Sequence, residues 1–305
     1  MDSSDLKLAI FAFKGRGTEY MSTEIVLMVH GRRLLYCLSS RRTIVVITIV
    51  LIVFTFASVY SIRHSSEAIK YFSVTDLLHT DFNTATKKLI PRLIHQTWRN
   101  HTIPAQWQDT VNSIHEYNTN SNNTFEYRLW TNQMIIKFMK ENYFRFYQET
   151  FRKYPYEIQK IDAFRYFLMY HFGGVYIDMD IGCKKALWPL PQSIEHKASG
   201  VNVAVFPETR PFGVSNDFLI STVRHPLYEK IIHQTLSRWK YNFLSNYLTV
   251  MVTTGPLFLT LQLYLYPNKS DGTIYILEHA LYNGRSQSFI RHTQVRLTAV
   301  ELFRI

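Results

Sequence analysis

The residues best equipped for chemistry crowd into one stretch, "DAFRYFLMYHFGGVYIDMD", from Asp162 to Asp180. Asp178 and Asp180 stand two positions apart at the end of a short apolar run. An unpaired carboxylate taken out of water is strongly disfavoured there. In an extended backbone, residues two apart face the same side, so both carboxylates can reach one cation. A small set of oxygen ligands favours Mg2+ or Mn2+, held jointly with a diphosphate. Gly173 and Gly174 precede the run, and their missing side chains would let a nucleotide approach the backbone. Upstream, Asp162 and Arg165 lie one helical turn apart. That spacing suits either a surface ion pair of little energetic value or a pair that meets a phosphate and a sugar hydroxyl.

Positioning such groups requires a strand that ends at the acidic pair and a helix that leads into it. A helical pattern covers residues 156–172 and stops at Gly173 and Gly174, and "VYID" is the strand that follows. Before it come a strand over Arg92–Thr97, a helix with apolar spacing at Trp107, Val111 and Ile114, a strand "FEYRLW", and a helix that Thr131 can cap. After it come "VNVAVF" as a strand, a helix beginning near Pro226, a second apolar helix in "TGPLFLTLQLYLY", and a late strand "TIYILE". Strands alternating with helices predict an α/β domain with a mainly parallel sheet. Ligands of such sheets bind beyond the carboxyl ends of the strands, where Asp178 and Asp180 fall.

The chain has 305 residues, 47% hydrophobic and 15% aromatic, enough to bury a sizeable core. Its formal charge of +11 suits anionic neighbours. No helix or arm gathers Lys and Arg with interleaved aromatics, so no nucleic-acid partner is expected. "TIVVITIVLIVFTFASVYSI", residues 43–62, carries no charge and is long enough to cross a bilayer as a helix. Arg32, Arg33, Arg41 and Arg42 precede it, against Arg63 and Lys70 after it, which predicts a cytoplasmic N-terminus and a lumenal remainder. Sequons at Asn100, Asn122 and Asn268 lie on the lumenal side. The two cysteines, Cys37 and Cys183, then fall on opposite sides of the membrane and cannot pair. The expected organisation is a cytoplasmic tail (1–42), a membrane anchor (43–62) and a polar stem (63–88) before the α/β domain.

"IPRLIHQTW", "DAFRYFLMYHFGGVYIDMD", "FGVSNDFLIS" and "TGPLFL", in this order and spacing, resemble glycosyltransferase family 32, and within it the fungal inositol phosphoceramide mannosyltransferases. The resemblance implies a GT-A fold and retaining transfer of mannose from GDP-mannose to the inositol of inositol phosphoceramide. It bounds a GT-A-like glycosyltransferase domain at 89–283 and leaves 284–305 as an atypical tail. It implies Mn2+ (or Mg2+) as cofactor, a Golgi membrane setting and a regulatory membrane subunit as partner. It gives Asp178 to the metal–ribose region, Asp180 to direct metal contact, and Asp162 and Arg165 to the donor sugar. Trp98 falls near the nucleotide base, where a stacking aromatic makes physical sense and a core Trp is the alternative. Asn216 and Asp217 fall near the donor sugar or acceptor, although an ordinary turn also favours these residues.

The resemblance weakens after "TIYILE". The family pattern continues with a G-S-S-W-H-like element whose His completes the metal site, whereas this chain runs "LYNGRSQSFIRHTQVRLTAVELFRI". That segment reads as an altered end, in which His279 or His292 either substitutes as a ligand or lies at the surface. A glycan-directed transferase and a catalytically inactive relative are the competing expectations.

Overall fold

The structure, a computed structural model, describes residues 7–13, 22–29, 32–37, 69–84, 87–119, 125–236, 245–267 and 273–293. It separates into two units, residues 1–65 and 66–305. The first holds three strands, β1 (Lys7–Phe13), β2 (Ser22–Val29) and β3 (Arg32–Cys37), paired antiparallel in that order. The expected anchor, residues 43–62, lies outside the described residues. Among the described residues no helix is long and apolar enough to cross a membrane.

The second unit runs β4 (Lys70–Phe72), α1 (Val74–Leu78), β5 (Leu93–Trp98), α2 (Ala105–Asn118), β6 (Glu126–Thr131), α3 (Asn132–Asn142), α4 (Phe144–Glu149), α5 (Glu157–Phe172), β7 (Gly174–Ile177) and β8 (Ile181–Cys183). It continues through α6 (Pro189–Ala198), β9 (Ala204–Pro207), β10 (Phe218–Ser221), α7 (Pro226–Lys230), α8 (Asn246–Thr253), α9 (Pro256–Tyr264), β11 (Ile274–Leu277), α10 (His279–Tyr282) and β12 (Ile290–His292). Seven strands form the central sheet in the order β4-β11-β9-β10-β7-β5-β6. β10 runs antiparallel to both its neighbours, and every other pairing is parallel. The expected α/β class and mainly parallel sheet are therefore found.

Both faces of the sheet are covered, which is why its inner strands read as continuous apolar runs. One face packs Tyr176, Phe206, Leu219 and Ile276 against α5, α7 and α9. The other packs Val175, Ile177, Val205 and Ile220 against α6 and Ile114 of α2. Val175 and Ile177 go one way and Tyr176 the other, the period-two alternation of a strand.

Two segments extend the fold past the boundaries read from the sequence. Residues 70–72, read as stem, pair with β11 and make the sheet's edge. Residues 290–292, read as an atypical tail, pair antiparallel with β8, directly after the acidic pair. A buried carboxylate ties the domain entrance down: Glu195 of α6 accepts hydrogen bonds from the Leu89 and Ile90 amides at 2.7 Å and meets Arg92 at 2.8 Å.

The reversal of β10 builds the site. Phe218 pairs with Ile177, so β10 begins at the edge where β7 ends. The residues just before Phe218 are Asn216 and Asp217, and those just after Ile177 lead to Asp178 and Asp180. An antiparallel neighbour is what brings the start of one strand to the finish of the other.

Candidate active site

Asp162 and Arg165 lie on α5, which is buried nearly all round. Their side chains are 5% and 4% exposed, and Arg165 Nη2 stands 2.8 Å from Asp162 Oδ1. The surface ion pair is thereby set aside. Arg165 Nη1 reaches Asp178 Oδ2 at 3.2 Å and donates to the Asn216 carbonyl at 2.5 Å. Asn216 in turn donates its side-chain amide to Asp162 Oδ1 at 3.1 Å. Four of the expected site residues thus form one connected group, drawn from α5, the end of β7 and the start of β10. Gly255, in the Thr-Gly-Pro element, closes the back, where a Cβ would stand 3.4 Å from Asp162 Oδ2.

Asp178 is held on both oxygens. Tyr176 donates its hydroxyl to Oδ1 at 2.6 Å, and Arg165 approaches Oδ2. Thr97 Oγ1 lies 3.0 Å from the Tyr176 hydroxyl, and the Arg165 guanidinium sits over the Tyr176 ring at 4.8 Å. The Asp178 amide donates to the Asp217 carbonyl at 2.8 Å. Asp180 differs: it is exposed, and no described side chain donates to its carboxylate. Asp217 is half-buried, and its carboxylate accepts from the Tyr282 hydroxyl.

These carboxylates repel one another. Burial, together with the charges of Asp180 and Asp217, pushes Asp178 up to about 7 against the downward pull of Arg165. Burial and Asp217 raise Asp180 as well, and burial raises Asp162. Against the cost of burial, Asp178 and Asp162 hold Arg165 firmly charged. One guanidinium compensates a cluster of four carboxylates, and the excess of negative charge fits a divalent cation. Among the described residues no three His, Cys, Asp or Glu side chains form a closed metal cage. The fit is therefore to an ion held by Asp180, near Asp178, with substrate oxygens and water completing its shell.

A cavity of about 190 Å3 opens beside the acidic group, lined by Trp98, Trp107, Met179, Arg165, Asp178 and Asp180. Trp98, at the end of β5, is partly buried against a small apolar cluster of Trp107, Val111 and Met179. Trp107 is 3% exposed, and its indole N–H has no partner among the described residues.

Gly173 and Gly174 occupy the opposite end of β7 and do not line this cavity. They have φ of +60° and +85°, and a Cβ would come within 2.8 Å of the Ser221 carbonyl and 2.6 Å of the Leu93 carbonyl, respectively. The glycines clear space for neighbouring strands, a correction to the expectation that they admit a nucleotide. His279 lies apart: its amide donates to Glu208, and its Nδ1 is buried with no partner among the described residues. His292 lies close by in β12, with Nε2 engaged 3.1 Å from the Tyr282 carbonyl. Asn100 is exposed, whereas Asn122 and Asn268 lie outside the described residues.

Sequence reasoning missed Trp107, Tyr176 and Tyr282. Trp107 shares an apolar helical stripe with Val111 and Ile114, and nothing in that spacing separates a cavity wall from core. Tyr176 could have been found, since it sits two before Asp178 and so shares its face. Tyr282 carried no local signal.

Residues 104–199 match the family model described as a glycosyltransferase sugar-binding region containing a DXD motif. That family generally uses a divalent metal. The inositol phosphoceramide mannosyltransferase 1 of Schizosaccharomyces pombe is 40% identical over 203 residues, covering 67% of this chain and 60% of that protein. The mannosyl phosphorylinositol ceramide synthase SUR1 of Saccharomyces cerevisiae is 37% identical over 214 residues, covering 68% of this chain and 51% of that one. The chain thus spans between about half and three-fifths of the length of these relatives. Among solved structures, the PaToxG glycosyltransferase aligns with a TM-score of 0.38 and 18% identity, over 57% of this chain and 69% of that chain. The DXD motif of the matched region, Asp178 to Asp180, lies on the acidic rim just described, and the chain belongs to glycosyltransferase family 32.

Proposed function

We propose that the chain transfers mannose from GDP-mannose to the inositol of inositol phosphoceramide, with retention of configuration and with Mn2+ as cofactor. The observation that carries this reading is the joined group of Asp162, Arg165, Asp178 and Asn216, of which Arg165 and Asp178 line an aromatic-walled cavity. Support for the acceptor comes from the relatives, which are named for transfer to this lipid. Support for a GT-A fold comes from the parallel sheet with a single reversed strand that delivers Asp217 to Asp178.

The cavity is smaller than a nucleotide sugar needs. It suits the base, stacked on Trp98 and Trp107, with the diphosphate and hexose lying over the acidic rim. Arg165 presents a buried, permanently charged fork to that rim, where negative charge grows as the sugar–phosphate bond breaks. Its low-dielectric surroundings strengthen that interaction. Asp162 and Asn216, already joined, offer a carboxylate and an amide to hexose hydroxyls. Asp180 and Asp178 hold the cation, which when bound supplies Lewis-acid stabilisation of the leaving diphosphate. The acceptor is a lipid, which fits an anchor at 43–62 in the Golgi membrane, a lumenal catalytic domain and a membrane-embedded regulatory partner.

The test is transfer of labelled mannose from GDP-mannose to inositol phosphoceramide in detergent with Mn2+, comparing the chain with its Asp180→Ala variant. We expect product from the first and at least a ~100-fold loss in the second, the scale of removing one electrostatic stabiliser. Equal rates would remove Asp180 from the mechanism. No product from either, beside an active relative in the same assay, would make the chain a non-catalytic family member.

A further inference from the structure

Tyr282 closes the four-residue helix α10, and its hydroxyl lies 2.6 Å and 2.5 Å from the two oxygens of Asp217. A single phenol proton faces both oxygens, so the carboxylate is pinned symmetrically while its outer lone pairs remain available. The Tyr282 ring is itself gripped from behind. His292 of β12 meets it edge-on with centroids 4.8 Å apart, and Phe218 packs at 6.3 Å. His292 Nε2 also lies 3.1 Å from the Tyr282 carbonyl. The helix carrying Tyr282 is tied to the same C-terminal segment through the Phe289 amide and the Ser288 hydroxyl, both bonded to the Leu281 carbonyl. One residue beyond His292, the Thr293 amide donates to the Asp180 carbonyl at 2.9 Å. The segment Ser288–Thr293 therefore touches the acidic group at two points. One contact runs through Tyr282 to Asp217, and the other runs directly to the Asp180 backbone.

We propose that Tyr282, backed by His292 and β12, is a positioning residue that aims the Asp217 carboxylate at a hydroxyl of the donor hexose. The proposal rests on reading the acidic rim as the donor site. Asp217 neighbours Asn216, which bonds Asp162, and its own carbonyl holds the Asp178 amide, so it belongs to the same cluster that would meet the sugar. A carboxylate with two anchored oxygens loses little freedom on accepting a hydroxyl, whereas one that rotates must be ordered at each binding event. The segment read from sequence as an altered end becomes part of the donor site.

The experiment is titration of the full chain with GDP and with GDP-mannose, in Mn2+, read by quenching of tryptophan fluorescence, Trp98 and Trp107 being the indoles that line the cavity. It requires neither acceptor nor turnover. Tyr282→Phe keeps the ring packing and removes only the hydroxyl. We expect Tyr282→Phe and Asp217→Asn each to weaken GDP-mannose binding about tenfold, the scale of one hydrogen bond to a charged group. GDP binding should stay within about twofold, and the double variant should bind GDP-mannose no worse than Asp217→Asn alone. His292→Ala, further from the carboxylate, should give the same sugar-selective loss at smaller size, and it decides the matter should Tyr282→Phe melt early. Equal weakening of GDP and GDP-mannose, or losses that multiply in the double variant, would overturn the proposal. If the unaltered chain binds neither nucleotide, the donor-site reading itself fails, a result distinct from loss of sugar selectivity.

Discussion

Arg165 shows how one side chain serves both fold and chemistry. Its fork spans Asp162 and Asp178 while its own exposure is 4%, so removing it strands two carboxylates beside Asp180 and Asp217. Breaking a buried pair by deleting one partner costs roughly 3–5 kcal/mol. Arg165→Met should therefore lower the unfolding free energy by about that much, as well as abolish transfer. Arg165→Lys keeps the charge but not the planar fork. It should restore part of the stability and little of the activity, and urea unfolding beside the transfer assay separates the two. Asp180 is the counterexample. It is held by no described side chain and is repelled by the Asp217 charge, so Asp180→Asn should leave unfolding unchanged or stabilise the fold. A marked loss of stability there would contradict its reading as a site reserved for a ligand.

At the scale of elements, the central strands carry both the sheet and the groups that fix its pH response. His95 of β5 is fully buried, accepts from Trp130 Nε1 at Nδ1, and donates from Nε2 to the Gly173 carbonyl. Burial lowers it to about 3, so the folded protein keeps it neutral across the usual range. The unfolded chain takes up the proton below about 6.5. This contribution to stability is present above that value and is lost as pH falls toward 3. At pH 5 the loss amounts to about 2 kcal/mol by linkage. Asp178, raised to about 7, shifts stability the opposite way over the same range, so the His95 contribution is read as the difference between thermal melts of the unaltered chain and of His95→Gln from pH 7.5 to 5. A similar argument applies to Gly174, whose φ of +85° and proximity to Leu93 make Gly174→Ala both strained and crowded. A loss of at least about 2 kcal/mol is expected, read by denaturant unfolding. Much of this was legible in the sequence. Helix α5, strand β7 and the glycine stop followed from period and punctuation, and Thr131 caps α3 as its position suggests. β10 was not legible as a strand: "FLIS" is four residues long and follows "SND", which reads as a turn. The site's key juxtaposition depends on β10 running backwards, and strand direction leaves no local trace. β4 and β12, of three residues each, are too short to have a period. They exist because β11 and β8 offer them edges.

At the scale of the whole molecule, the proposed anchor at 43–62 and its flanking arginines make a prediction about where the site would work. Four arginines precede that segment and Arg63 and Lys70 follow closely, an asymmetry that would hold the N-terminus in the cytoplasm if the segment spans a membrane as we propose. The catalytic unit would then face the lumen, where a glycan can be attached at an accessible sequon. Asn100 meets that condition, since it is exposed just beyond the end of β5. Its Oδ1 accepts from the Thr102 amide at 2.9 Å in a local turn. Expressed in a eukaryotic cell, the chain should therefore carry N-glycan removable by endoglycosidase, and Asn100→Gln should remove one step of that shift on a gel. The variant should keep transfer activity, because Asn100 touches none of the site residues. Protease added to sealed microsomes should spare the domain and trim only the N-terminal tail. A chain without glycan at Asn100, Asn122 and Asn268, and with its domain digested in sealed vesicles, would place the acidic cleft on the cytoplasmic face. The lipid acceptor would then have to be reached from the other leaflet.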